Sequence, residues 1–230
     1  MRVTGLLTLL LLILSSFVLK QDPPDAKARP CTGEWQGTII YRIITKKEGT
    51  AENNVNASWW NYEGFYETKT QLDGVKNAEG APMAFVRAEA NERKEWGSRG
   101  KSVCYRETQN SQSVMGVARE NTTAFSVTFN PRTREYSVLA PTLMVFASGE
   151  HVTTSSVKGT CNNPYNKNLH QVEKIERYQL SDDAPVLMGK GQVDPAKPDE
   201  FAGSETEEHD TSRGKKTVTI KWDLRRCSPK

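Results

Sequence analysis

Between Thr217 and Leu224 every second residue is apolar: Val218, Ile220, Trp222 and Leu224 alternate with Thr217, Thr219, Lys221 and Asp223. A period of two suits an extended strand, whose successive side chains leave opposite faces of a sheet. It also sets the register, because a slip of one residue would bury Lys221 and Asp223 and expose the tryptophan. Trp222 is therefore expected to anchor the core from the last strand.

The same pattern recurs upstream. Trp35, Ile39, Tyr41 and Ile43 share one face of the segment Trp35 to Thr45. Phe125 to Phe129 alternates and ends at Asn130-Pro131, a turn signal, and Arg134 to Leu139 reads as its hairpin partner with Tyr136 and Val138 on one face. Weaker strands are expected over 58–71, 102–107, 113–118, 143–147 and 151–157. Met83 to Trp96 reads as a strand leading to a turn near Gly97 and Gly100, while Leu169 to Gln179 fits a helix stripe as loosely as a strand. Strands without alternating helices point to an all-β chain, an antiparallel sandwich or open barrel of about nine or ten short strands with little helix. Residues 189–214 are punctuated by glycine and proline and hold seven acidic against three basic residues, which reads as a long acidic loop. The expected organisation is one β domain over 34–230, preceded by a proline-rich lead-in over 21–33.

The N-terminus reads as an export signal. Arg2 precedes an apolar stretch from Leu6 to Leu19, followed by the polar segment Gln21 to Asp25. That is the layout of a secretory signal peptide over 1–20, with an uncleaved anchor as the alternative. As a helix the apolar core would reach only ~21 Å, short of a ~30 Å hydrocarbon layer, so no membrane span is expected once the signal is removed. Secretion, the periplasm or the cell surface is the expected location. The formal net charge is +3, of which Arg2 and Lys20 supply two, leaving +1 on the rest. Such a balance predicts no nucleic-acid partner.

Four cysteines follow, Cys31, Cys104, Cys161 and Cys227, with neither CxxC spacing nor histidines in a zinc pattern. An even count behind an export signal predicts two disulfides. Pairing in sequence order (31 with 104, 161 with 227) is favoured over the nested arrangement (31 with 227, 104 with 161). Loop-closure entropy separates the two by only ~1 kcal/mol.

No arrangement of residues spells out catalysis. His151, His170 and His209 form no HExxH motif, and there is neither GxSxG nor a GxxxxGK[ST] loop. The acidic run Glu205 to Asp210 has no glycine-centred ligand spacing for calcium. The expectation is thus no catalytic constellation, no metal and no cofactor, although dispersed carboxylates of a glycan-directed hydrolase leave no sequence signature. Two glycosylation sequons begin at Asn56 and Asn121.

The local feature with most binding character is Trp59-Trp60-Asn61-Tyr62-Glu63-Gly64-Phe65-Tyr66. Adjacent tryptophans on a strand point to opposite faces, and a surface aromatic can stack on a sugar or anchor a partner. Trp59, Trp60, Tyr62 and Tyr66 are the candidate binding residues. The expected role is an extracytoplasmic, non-catalytic module for a protein, glycan or surface component. A secreted hydrolase and a structural envelope protein are the alternatives.

Overall fold

The computed structural model describes residues 35–76, 82–122, 125–161, 167–180 and 186–226. The expected signal segment and lead-in, with Cys31 and Cys227, lie outside the described residues. Within them the chain is all-β, with no helix, as the periodicity implies. Eleven strands run β1 (Trp35–Glu52), β2 (Asn56–Lys76), β3 (Pro82–Gly100), β4 (Cys104–Thr122), β5 (Ser126–Phe129), β6 (Glu135–Leu139), β7 (Val145–Gly159), β8 (Leu169–Leu180), β9 (Gly189–Gln192), β10 (Glu200–Thr211) and β11 (Gly214–Arg226).

Eight of them form one antiparallel sheet in the order β10-β11-β1-β2-β3-β4-β7-β8, and β5-β6-β9 form a second, small sheet. The large sheet is not closed, since β10 and β8 are its two edges. Its strands are longer than the sequence suggests. The expected pieces 102–107 and 113–118 fuse into β4, while 143–147 and 151–157 become the single strand β7. Polar residues in mid-strand hid this continuity: one face of each strand looks outward, and the inner face turns polar towards one end. Met83 to Trp96 is extended as expected, and the strand runs on through Gly97, paired to β2 as far as Gly100, so the turn into β4 comes just after Gly100, at 101–103. The ambiguous segment 169–180 is the edge strand β8.

The stretch 189–214 is not a loop. It contains β9, a turn, and β10, which pairs with β11 over its whole length. The acidity that suggested a loop is answered across the strand pair: Lys215 Nζ lies 2.6 Å from Glu208 Oε2 and Arg225 lies 3.3 Å from Glu200 Oε1. Opposite charges facing across a ladder favour pairing.

The inner face of the large sheet holds the core. Ile39, Tyr41, Ile43, Val218, Ile220, Trp222 and Leu224 are buried there, under Tyr136 and Val138 of the small sheet. Phe201 packs edge-on against Trp35, Phe129 and Tyr136, with ring centroids 4.7 to 5.6 Å apart. Tyr136 Oη accepts a hydrogen bond from Trp222 Nε1 at 3.1 Å and donates to the Ala202 carbonyl at 3.2 Å. The small sheet thus covers one end of the inner face.

The disulfide joins Cys104 to Cys161, closing a separation of 57 residues between the start of β4 and the chain just past β7. That is a pair of the nested arrangement and corrects the sequence-order preference. Cys104 pairs with Gly159 in the β4–β7 ladder, so the bridge links chain segments that the sheet has already made neighbours.

Candidate functional site

Cross-strand register lays the inner face out in rows. One row carries Gly49, Trp60 and Trp96 on β1, β2 and β3, and the next carries Lys47, Tyr62, Lys94, Gln112 and His151 on β1, β2, β3, β4 and β7. Below them come Thr45, Gly64, Glu92 and Val114, then the apolar row Ile43, Tyr66 and Ala90. The face therefore grades from an apolar floor, continuous with the core, to an aromatic and charged upper half that the small sheet does not reach.

The sheet curls around this upper half. Tyr178 on β8 is three strand positions from Glu92 on β3, about 14 Å across a flat sheet at ~4.8 Å per strand. Even so, Tyr178 Oη donates to Glu92 Oε1 at 3.0 Å. On the other side the β10–β11 turn folds in, and Lys47 Nζ donates to the Ser212 carbonyl at 2.7 Å. Gly214 makes that turn possible. It sits at φ 118° with Lys46 O only 2.3 Å from where a Cβ would lie, a conformation and approach suited to glycine. The result is a cavity of about 540 Å³ between β1, β2, β3, β8 and the β10–β11 turn.

At its centre lies Glu92, whose side chain is only 6% exposed. Tyr62 Oη donates to Oε2 at 3.1 Å, and Lys94 Nζ lies 2.5 Å from Oε1. Lys94 also donates to Tyr178 Oη at 3.1 Å and stands over the Tyr62 and Tyr178 rings, 5.5 Å from each centroid. Burial works against the Lys94 charge, but hydrogen bonds to Glu92 and Tyr178 outweigh it and hold the ammonium above its ordinary pKa. Burial, followed by the adjacent Glu92 carboxylate, pushes the Tyr62 phenol well above the usual phenol range. The Tyr62 phenol therefore stays a neutral donor to Glu92.

Of the candidates read from the sequence, Trp60, Tyr62 and Tyr66 line this cavity. Trp60 lies against Gly49, where a Cβ would meet the indole at 2.4 Å. Tyr66 forms part of the floor, and its hydroxyl donates to the Leu143 carbonyl at 2.9 Å. Trp59 does not belong to it. It projects from the opposite face over Gly97 and is 37% exposed.

Sequence reasoning missed Glu92, Lys94, Trp96 and Tyr178. Parity along β3 could have placed the first three together, but not Tyr178. Ile175 and Tyr178, an odd number of residues apart, both face the inner side because the β7–β8 register shifts between Ala147 and Gly149. Arg177 takes φ 56° at that point, a bulge that re-aims the next side chain. His151 also serves the wall, stacking on Trp96 at 5.3 Å.

The acidic run Glu205 to Asp210 is spent on strand contacts. Glu205 accepts from the Lys190 N–H at 2.8 Å, and His209 lies 3.2 Å from Glu207. Among the described residues no group of three or more His, Cys, Asp and Glu side chains converges on a metal position. Asn56 is exposed at the β1–β2 turn, where Asn53 Oδ1 accepts from the N–H groups of Val55 and Asn56.

Two carboxylates, Glu92 and Glu95, appear among the cavity-lining residues. Being three apart on one strand, they leave opposite faces, and Glu95 pairs instead with Arg93. A facing pair for glycoside cleavage is thus not formed by these two. No family model, no curated protein and no solved structure matches the chain, so what the cavity does is argued from its own residues.

Proposed function

We propose that the chain is an extracytoplasmic, non-catalytic binding module whose curled sheet holds a compact ligand against Trp60, Tyr62 and Trp96. The observation that carries this reading is the ~540 Å³ aromatic-lined cavity, a size typical of small-ligand sites. Its polar groups are already organised. Glu92, Lys94, Tyr62 and Tyr178 hold one another in place, so a ligand meets fixed donors and rings and the cost of ordering them is small. The apolar segment Leu6 to Leu19 and the Cys104–Cys161 bridge support an oxidising compartment.

The test compares two tryptophans one residue apart. Saturation-transfer NMR against a panel of sugars and small acids is run on the wild type, Trp60→Ala and Trp59→Ala. Ligand signals should vanish for Trp60→Ala and persist for Trp59→Ala. Loss in both variants, or in Trp59→Ala alone, would place binding on the outer face and refute the cavity reading. Melting curves of both variants show whether each is folded.

A further inference from the structure

The identity of the ligand can be narrowed from the distribution of charge and apolar surface. We propose that the cavity takes the acidic end of a glycan, a sugar ring bearing a carboxylate. In this arrangement the ring lies on the Trp60–Trp96 wall and the carboxylate meets the exposed Lys47 at the rim. The inference rests on the binding reading above and adds the ligand class.

Three features of the site support it. Four cationic side chains line the cavity, Lys47, Lys94, Arg213 and Lys216, against the two carboxylates Glu92 and Glu95. Glu92 is matched by Lys94, and Glu95 leaves by the outer face. Arg213 and Lys216 make contacts of their own within the protein, so the group that meets the anion is Lys47, whose one hydrogen bond goes to the Ser212 carbonyl. This positive side is segregated: Lys47 lies on β1, and Arg213 and Lys216 lie at the β10–β11 turn and the start of β11. The aromatic side chains Trp60, Tyr62 and Trp96 stand on β2 and β3. Lys47 pairs with Tyr62 in register, so one strand spacing of ~4.8 Å separates the backbones that carry cation and ring. That is the reach of a single ring carrying its own carboxylate.

The third feature separates a sugar from other anions. A fatty acid would lay its chain over the centre of the cavity, where Lys94 is 33% exposed. It would strip water from that ammonium and from the phenols without returning a hydrogen bond, at a cost set by desolvating charged groups. A flat aromatic acid has the same defect. A sugar ring presents C–H groups to an indole and hydroxyls at its edge, so it can stack on Trp60 while bonding Lys94 and Tyr178. The exposed Lys47 at the rim donates to the Ser212 carbonyl, and its two other N–H donors are free to meet a carboxylate.

The experiment measures dissociation constants by NMR titration for sodium glucuronate, glucose, benzoate and decanoate on the full chain. Glucuronate should bind about tenfold more tightly than glucose, the difference a single charge-assisted contact makes. Its affinity should fall as NaCl rises from about 0.05 to 0.5 M, whereas that of glucose should not. Lys47→Gln, which keeps a donor for Ser212, should erase most of the advantage of glucuronate and leave glucose unchanged. Equal binding of glucose and glucuronate overturns the carboxylate assignment, and tighter benzoate or decanoate overturns the sugar. In each of those cases a Trp60-dependent complex would leave the cavity itself standing. Absence of binding by all four probes overturns the ligand class, and the tryptophan comparison then decides the cavity separately.

Discussion

Trp222 is 2% exposed, wedged against Gly203 and Gly189 with its indole N–H on Tyr136, whereas neighbouring Lys221 faces solvent. Trp222→Ala should therefore cost ~3–5 kcal/mol through lost burial and the cavity left behind. Lys221→Ala should stay within about 0.5 kcal/mol. Urea denaturation of both variants measures the difference, and equal losses would mean the strand is inside out. A second residue effect runs the other way. Thr68 and Thr70 are fully buried, and their hydroxyls have no hydrogen-bond partner among the described residues. A buried hydroxyl without a partner carries an uncompensated desolvation cost, so Thr70→Val, which keeps the shape, should be neutral or stabilising by up to ~1 kcal/mol. A loss above that size in the same denaturation assay would mean that the hydroxyl has a partner outside the described residues.

At the scale of elements, β8 and β10 show how local irregularity and distant partners shape the site. The bulge at Arg177 turns Tyr178 towards Glu92, and its left-handed conformation suits glycine better than a β-branched residue. Arg177→Gly should thus be tolerated, apart from the loss of the cation over Phe146, 5.3 Å from its ring. Arg177→Val should cost ~1–2 kcal/mol more than the glycine variant; equal melting temperatures for the two would argue against the bulge. In β10 the acidic run is held by a full antiparallel ladder with β11. Limited proteolysis should spare 200–211 while the sheet is folded, and a first cut inside that range would show the ladder to be weak.

For the whole molecule, two global properties follow from the site and the bridge. The Tyr62 and Lys94 pKa values are both raised in the folded state. A group raised on folding stabilises fully below its unfolded pKa, about 10 for both types, and that stabilisation is lost as pH climbs towards the folded value. Stability should hold through neutral pH and fall from about pH 10 upward, and Tyr62→Phe should blunt the fall. Thermal melts between pH 8 and 11 measure it; an unchanged slope in the variant would remove Tyr62 from the cause. The Cys104–Cys161 loop of 57 residues is worth ~4 kcal/mol in a chain-entropy treatment. Peptide mapping without reductant should recover 104 linked to 161. Cys227 is then the one cysteine left as an intramolecular partner for Cys31, and a 31–104 peptide would contradict the fold.

Period-two alternation was enough to determine the all-β class, the inward faces of β1, β6 and β11, and the opposed directions of Trp59 and Trp60. Those are local consequences of strand geometry, readable wherever one face is buried and the other wet. Which cysteines meet, that an acidic stretch is a strand, and that Glu92, Lys94 and Tyr178 meet were decided only by tertiary structure. Each depends on a partner far away in the chain: β11 for the charges of β10, and β7 for Cys104. For Tyr178 the cause is sheet curl plus a one-residue bulge, which reverses the parity on which any reading of alternation depends.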